Sequence, residues 1–428
     1  MKPRVSVVGL GYVGLVHAVG FANLGLKVVG YDIDESKINR LSRGEPTIYE
    51  EGLEDALRRA LDNGNLRFTR DIGEAVVGSD VTFITVGTPS LPDGSVDLSQ
   101  VESAARGIGR ALKLKKSWHL VVVKSTVPPG TTEGLVRRVL EEESGLRAFH
   151  DFGLAANPEF LREGSALRDF FKPDRIVVGV RDDRSRDTLL SVYEGIEAPR
   201  VITTPTAAEL AKYASNVFLA VRVSLVNEIG NLCKILGVDS YEVLRIVGLD
   251  HRIGPYYLKP GLGFGGSCLP KDLRAFIRIA ESLGLNARIA RAALEVNMEQ
   301  PRRAISLLEK HLGELRGRRI GVLGLAFKPG TDDIRESKAL EVIEILLEKG
   351  AVVYAHDPKA MEKAREKLGD RVILVEDPQK LVDSVEAVVI ATEWPEYENL
   401  SYKGKIVVDG RRVEKARREA LVYEGLAW

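Results

Sequence analysis

Cys268 stands in the most unusual stretch of the chain, Gly261-Leu262-Gly263-Phe264-Gly265-Gly266-Ser267-Cys268-Leu269-Pro270-Lys271-Asp272. Four glycines within six residues cost backbone entropy on folding and give no side chains to a core, so the segment suits close approach of a ligand. The cysteine falls just before a predicted helix start, where the positive dipole end stabilises a thiolate, and Lys271 adds positive charge nearby. A thiolate so placed is a nucleophile, and Asp272 serves as a base or positions a water. Cys233, within the apolar pattern of residues 229–236, reads instead as a small buried hydrophobe. A second signature lies at Gly9-Leu10-Gly11-Tyr12-Val13-Gly14, after the β-branched run Val5-Ser6-Val7-Val8 and before a helical pattern. Gly9 permits a tight turn, Gly11 lets the backbone approach a pyrophosphate, and Gly14 allows close helix–strand packing. The free N–H groups of the helix start, at Tyr12 and Val13, face the phosphates. Asp32 closes the next strand, where it accepts from ribose hydroxyls and repels a 2′-phosphate, so the expected cofactor is NAD rather than NADP.

These residues need a scaffold, and the pattern between them supplies one. Strand-like runs recur at residues 27–31, 81–86, 119–123, 153–156 and 175–180, with helical patterns at 54–61, 101–112 and 134–142. Alternation at this spacing implies a parallel sheet covered on both faces. Residues 207–236 carry an uninterrupted helical period, with Gly230 their one interior glycine, and a helix that long bridges domains or packs against a twin. More helix is expected over 271–312, interrupted near Gly284 and at Pro301. From Arg318 the texture of the N-terminus returns: Arg319-Ile320-Gly321-Val322-Leu323-Gly324 repeats Arg4–Gly9, residues 351–357 echo 27–32, and residues 387–395 echo 81–89. The expectation is a second nucleotide-binding α/β unit whose glycine fingerprint has degenerated. The fold class is therefore α/β, with two Rossmann-like doubly wound domains joined by a long central helix and helical region. The expected boundaries are 1–203, 204–315 and 316–428.

Composition bounds the function. A chain of 428 residues at ~150 per domain makes two or three domains. With 61 Lys+Arg against 61 Asp+Glu, no charge excess draws the whole chain to nucleic acid or a membrane. Two cysteines cannot build a disulfide scaffold or a four-thiolate zinc site, and no metal is expected. No apolar run reaches the ~20 residues of a membrane span, and no signal-peptide h-region follows Met1-Lys2-Pro3-Arg4. A soluble, cytoplasmic protein is expected.

The segments together resemble the UDP-glucose/GDP-mannose dehydrogenase family, most closely its UDP-glucose branch. The match runs in order through Gly9–Gly14, Lys124-Ser125-Thr126-Val127-Pro128-Pro129-Gly130-Thr131, Asn157-Pro158-Glu159-Phe160-Leu161-Arg162-Glu163-Gly164, Glu209-Leu210-Ala211-Lys212-Tyr213-Ala214-Ser215-Asn216, the Cys268 segment and Gly324-Leu325-Ala326-Phe327-Lys328. The resemblance implies NAD-dependent oxidation of UDP-glucose at C6 to UDP-glucuronate, with two NAD per turnover, in a cleft between lobes. Alcohol to acid is a four-electron oxidation, and a covalent nucleophile keeps the intermediate aldehyde from escaping between the two hydride transfers. By resemblance, Cys268 is that nucleophile, and Lys212 and Asn216, one helical turn apart, stabilise the oxyanion. Asp272 and a water take the first proton, Glu159 does acid–base work at the thioester stage, and Thr126 helps order a water. The same resemblance assigns NAD contacts to Asp32, Lys37, Thr88, Ser125, Thr126, Glu163, Lys271 and Arg335. It assigns the sugar nucleotide to Glu159, Phe160, Leu161, Arg162, Glu163, Lys212, Asn216, Arg252, Lys259, Gly261, Leu262, Gly263, Phe327, Lys328 and Arg411.

GDP-mannose or another UDP-hexose is the alternative substrate, since Ser267-Cys268-Leu269-Pro270 is shared by both main branches. Ser267 stands where the N-acetylmannosamine branch usually carries His and argues against that sugar. His17, in the first helix, departs from bacterial relatives and is given no role. A non-catalytic nucleotide-binding regulator would not need Cys268, Lys212, Asn216 and Asp272 together. A two-electron hydroxyacid dehydrogenase would need neither Cys268 nor a second nucleotide-binding unit. The long helix implies a homodimer or higher homo-oligomer.

Overall fold

The computed structural model describes residues 2–428 and divides into two compact units, Met1–Ala214 and Ser215–Trp428. In the first unit, eight strands form one sheet: β1 (Val5–Val8), β2 (Val28–Tyr31), β3 (Leu66–Thr69), β4 (Val81–Ile84), β5 (Leu120–Val123), β6 (Gly153–Ala156), β7 (Ile176–Gly179) and β8 (Arg200–Thr203). Their order is β3-β2-β1-β4-β5-β6-β7-β8, and every pairing is parallel except β6 with β7. Side chains alternate faces along each strand, so Val5, Val7, Val81, Phe83, Leu120 and Val122 enter one core while Val8, Ile84, Val121 and Val123 enter another. Helix Tyr12–Asn23 covers the first face, and helices Ser99–Leu112 and Arg137–Ser144 cover the second. Burial on both faces explains why these strands read as continuous apolar runs.

The second unit holds β9 (Arg319–Leu323), β10 (Val352–His356), β11 (Ile373–Leu374), β12 (Ala387–Ile390), β13 (Ile406–Asp409) and β14 (Val422–Gly425), all parallel, in the order β11-β10-β9-β12-β13-β14. Counted from its own first strand, this order is the one that β1 to β6 follow. Both sheets therefore reverse direction beside their first strand, where doubly wound folds bind nucleotides.

Helix Pro205–Leu236 begins in the first unit and ends in the second, and helices Ser240–Gly248, Leu269–Ser282 and Arg288–Leu312 follow it. The expected break near Gly284 is present, between Ser282 and Arg288. The expected break at Pro301 is not: Arg288–Leu312 is one helix with Pro301 buried inside it. A proline removes one rung of the ladder, here the bond to the Asn297 carbonyl, and the packing of Ala304, Ile305 and Leu308 in the core carries the helix across the gap. Strands β3, β8, β11, β13 and β14 are not predicted from the sequence. Among the described residues no helix is long and apolar enough to cross a membrane.

Candidate active site

The fingerprint in the first unit has the geometry of a dinucleotide cradle. Gly9 N donates to Tyr31 O at 2.8 Å, which turns the chain off β1. A Cβ on Gly14 would lie 1.9 Å from Gly9 O, so only glycine lets the helix start this close to the strand. At Gly11 a Cβ would have nothing within 4 Å, and no side chain caps the helix start. An open backbone and uncapped N–H groups fit a pyrophosphate. Asp32 Oδ2 accepts from Leu10 N at 2.8 Å and from Lys37 Nζ at 2.8 Å, which fixes the acidic residue at the lip of β2 and brings the expected Asp32 and Lys37 together. The loops after β4 and β5 are also joined: Thr88 Oγ1 donates to Thr126 O at 2.9 Å, and Ser125 Oγ donates to Val86 O at 2.7 Å.

The loop after β6 carries Glu159 to the long helix. Lys212 Nζ lies 3.0 Å from Glu159 Oε1, and both side chains are buried. Leu161 N donates to Glu159 Oε2 at 2.6 Å, while the Arg175 guanidinium stacks 3.7 Å from the centre of the Phe160 ring. Arg162 makes a fork to Asp169, Nη2 to Oδ1 at 2.6 Å. Gly164 N donates to Tyr12 OH at 3.0 Å and to Glu50 Oε2 at 2.9 Å, and Tyr12 OH itself donates to Glu50. Burial and the Glu50 carboxylate push the Tyr12 phenol far above its usual range, so it stays a donor. Tyr12 and the segment ending at Glu163 are thus joined through Glu50.

In the second unit Cys268 is exposed and caps helix Leu269–Ser282, with Asp272 N donating to its carbonyl at 2.9 Å. Cys233 is 6% exposed, in accord with its reading as a hydrophobe. Asp272 is buried and receives Asn216 Nδ2 at 2.5 Å and the Lys271 ammonium. Three buried amides thread the glycine loop. Asn227 Oδ1 accepts from Gly261 N at 2.8 Å, Gln300 Nε2 donates to Gly261 O at 2.8 Å, and Asn297 Oδ1 accepts from Phe264 N at 2.7 Å. At Gly263, φ is +100° and a Cβ would stand 2.2 Å from Asn297 Oδ1, so glycine is required on both counts. Leu262 anchors the loop in the core of the second sheet. Gly266 N donates to Arg335 O at 3.0 Å, and the Phe327 ring packs against Gly266. Lys328 follows at the half-exposed end of that turn. Arg411 is aimed by its backbone N–H to Asp409 Oδ1 at 2.7 Å and by Nε to Ala391 O at 2.7 Å. Burial pushes the Asp409 carboxyl up to about 6, against the N–H groups of Arg411, Val413 and Arg412 and the Tyr423 hydroxyl. Lys259 is exposed, and Arg252 forms its ion pair with Asp250 on an exposed turn.

Sequence reasoning singled out none of Glu50, Glu209, Asn227, Asn297 and Gln300. Glu209 lies one turn before Lys212 and accepts from Gly130 N at 2.6 Å and Thr132 N at 2.8 Å, holding the turn that follows Thr126. Burial raises its pKa against those donors. The signal for Glu209 was its helical spacing from Lys212. The three amides had none, since each looks like an ordinary polar position on a helix.

Two doubly wound sheets, one with an intact dinucleotide cradle, and an exposed cysteine beside a buried carboxylate describe a nucleotide-binding oxidoreductase. The chain belongs to the UDP-glucose/GDP-mannose dehydrogenase family, whose NAD binding domain matches residues 3–197, central domain residues 206–299 and UDP binding domain residues 321–416. It is 44% identical to the UDP-glucose 6-dehydrogenase of Haloferax volcanii over 99% of this chain and 100% of that protein. The GDP-mannose 6-dehydrogenase of Azotobacter vinelandii is 38% identical over 99% of this chain and all of its own. Among solved structures, a UDP-glucose dehydrogenase from the hyperthermophilic archaeon Pyrobaculum islandicum superposes with a TM-score of 0.98 at 62% identity, covering 100% of this chain and 98% of that one.

Proposed function

We propose that the protein oxidises UDP-glucose at C6 to UDP-glucuronate, through a thiohemiacetal and a thioester on Cys268. One observation carries the mechanism: an exposed cysteine starts a helix whose first turn holds Asp272, itself bonded by Asn216 and Lys271. The 62% identity to a UDP-glucose dehydrogenase supports the choice of sugar. NAD, when bound at the fingerprint and at Asp32, Lys37, Thr88, Ser125, Glu163 and Arg335, accepts the hydride of each oxidation. In the first, Asp272 receives the C6 hydroxyl proton by way of a water, and Lys212 and Asn216 steady the alkoxide. Cys268 Sγ then bonds to C6 of the aldehyde, giving a thiohemiacetal. Loss of a second hydride and proton leaves a thioester. Water cleaves it with Glu159 as acid–base group and Thr126 ordering the water, releasing the carboxylate and the thiol. Phe160–Glu163, Lys259–Gly263, Phe327, Lys328, Arg252 and Arg411 hold the sugar nucleotide, the cations meeting its pyrophosphate.

In this reading residues 1–203 form the cofactor domain, 204–315 the helical centre and 316–428 the domain for the UDP moiety. A second copy of the chain covers the long helix. Phe218, Leu225 and Leu232 recur every seven residues along it with exposures of 77%, 54% and 56%, the spacing of a helix-pairing seam. Sedimentation at micromolar concentration is expected to give a dimer or larger assembly, and a monomer would remove that assignment. Two free cysteines accord with the cytoplasm.

The test is NADH formed per sugar consumed. A ratio near two with UDP-glucose is expected, and Cys268→Ser is expected to lose complete oxidation while retaining NADH binding. A ratio near one would sink the thioester route, and faster turnover of GDP-mannose would replace the sugar.

A further inference from the structure

Among the described residues three lysines are buried: Lys124, Lys212 and Lys338. Lys212 sits on Glu159 at 3.0 Å and Lys338 on Glu341 at 2.7 Å. Lys124 differs, because every group its Nζ meets is formally neutral: Asn157 O at 3.0 Å, Asn157 Oδ1 at 2.9 Å and Tyr193 OH at 3.2 Å. A buried ammonium without a carboxylate is costly, and such a group persists where its charge or its grip is used elsewhere.

Its place in the sheet shows what it grips. Val123 on β5 pairs with Ala156 on β6, so Lys124 and Asn157 are the first residues past the ends of two adjacent parallel strands. After Lys124 come Ser125 and Thr126, and after Asn157 come Pro158 and Glu159. The Lys124–Asn157 bonds therefore staple the loop proposed to meet the cofactor to the loop that presents Glu159. Asn157 is held from its other side as well, with N donating to Val123 O at 2.8 Å and Nδ2 to Val177 O at 2.7 Å. Tyr193 OH closes the cluster on Asn157 Oδ1 at 2.6 Å.

The same side chain feels the Glu159–Lys212 pair. Lys124, Asn157, Tyr193 and Glu159 line one cavity of the first unit. Burial pulls the Lys124 amine down to about 7, Glu159 pulls it back up, and the Lys212 ammonium lowers it again. His17, from the first helix, is kept neutral by burial and by Lys124 itself. The remaining charges on the cavity, Arg162, Asp169, Lys172, Asp174 and Arg175, carry three positive and two negative ends.

We propose that Lys124 is a positioning residue for Glu159 and Lys212, holding the Asn157-Pro158-Glu159 turn and supplying the second positive charge that the pair works against. The inference rests on the acid–base and oxyanion roles given to that pair above. A positive charge favours the ionised form of a neighbouring carboxylate, and the Lys124 amine carries its charge on the acid side of neutrality, so its removal moves the carboxylate's titration to higher pH.

The experiment is the pH profile of kcat with UDP-glucose and NAD for Lys124→Met, Lys124→Arg and Asn157→Asp, with thermal melts and NADH binding as checks on folding. Lys124→Met is expected to lower kcat at neutral pH about tenfold and to move the acid limb of the profile up by about one pH unit, with both KM values little changed. Lys124→Arg keeps the charge and is expected to restore the position of that limb. Asn157→Asp places a carboxylate on the Lys124 amine and is expected to move the acid limb the same way as Lys124→Met, so the idea stays testable even if the Met variant does not fold. An unmoved acid limb in a folded Lys124→Met or Asn157→Asp protein overturns it. Glu159→Gln and Lys212→Met separate the two readings. Wild-type kcat in those variants removes the role of the pair, whereas impaired controls beside an unmoved Lys124→Met profile remove Lys124 alone.

Discussion

The turns after β1 and β9 begin as twins. Gly9 N donates to Tyr31 O and Gly324 N to His356 O, both at 2.8 Å, and each glycine has a φ just above +90°. Asp32 and Asp357 then close the neighbouring strands, and each accepts a backbone N–H from the turn, Leu10 at 2.8 Å and Leu325 at 2.7 Å. There the likeness stops. Five residues past Gly9 stands Gly14, inside a helix that began at Tyr12; five past Gly324 stands Pro329, and no helix starts until Lys338. Proline disfavours helix in the residue before it, so Lys328 is thrown into a loop instead of a first helical turn. One sheet keeps an uncapped helix start at this position, and the other has a long loop bearing Phe327, Lys328 and Arg335. The aspartates diverge accordingly. Asp32, 7% exposed, also accepts from Asp34 N and from the partly exposed Lys37, whereas Asp357 is 1% exposed and also accepts from Ala326 N, Lys359 N, Ala360 N and Trp394 Nε1. The same residue in the same topological place is the proposed ligand lip in one copy and a structural clasp in the other.

That contrast can be broken, most severely at the fingerprint. Gly14→Val puts side-chain atoms where Gly9 O stands and is expected to weaken NADH binding ~100-fold or more, as read by fluorescence titration. Lys328→Met should leave NADH binding alone and raise KM for UDP-glucose about tenfold or more. Equal damage to both ligands by either variant would end the division of labour. Next come the aspartates. Asp357→Asn is expected to cost about 2–4 kcal/mol in denaturant unfolding, because several buried N–H donors lose their carboxylate. Asp32→Asn should cost about 1 kcal/mol or less, and its main effect should be a smaller preference of NAD over NADP. Reversed stability losses would mean the clasp is in the other sheet. A further effect, which depends on pH, is confined to the second sheet. Against the cost of burial, Lys234, Lys310 and His311 hold Glu424 on β14 down to about 2. A carboxylate depressed in the folded state adds stability that is complete above its unfolded pKa near 4.5 and is lost as pH falls from there towards 2. Glu424→Gln should therefore lose about 1–2 kcal/mol at neutral pH and nothing near pH 2, and a gap that does not close on acidification would refute this linkage.

Much of this was legible in the chain because the physics is local. Val5–Val8, Val81–Ile84 and Leu120–Val123 are mostly apolar and buried on both faces, and the glycines, Asp32 and Cys268 carry their meaning in spacing. Strand β8 escaped because its first three residues are exposed and carry no apolar alternation, and β11 because it has two residues. Pro301 misled because a local breaker was outweighed by packing in three dimensions. The supports of the site were hidden for a related reason. Asn297 and Gln300 bond to Phe264 and Gly261 from more than thirty positions away, and Glu50 reaches Gly164 across 114. Lys124 opens the segment Lys124–Thr131, yet only the register of β5 on β6 sets it beside Asn157.

The unequal exposure of the two cysteines makes the chain its own reagent count. A thiol-directed probe has one accessible sulfur to modify, Cys268, while Cys233 lies in the packed interior. Label incorporated per native chain then reads as the fraction of chains with a reactive Cys268, and denaturation adds one label per chain, at Cys233.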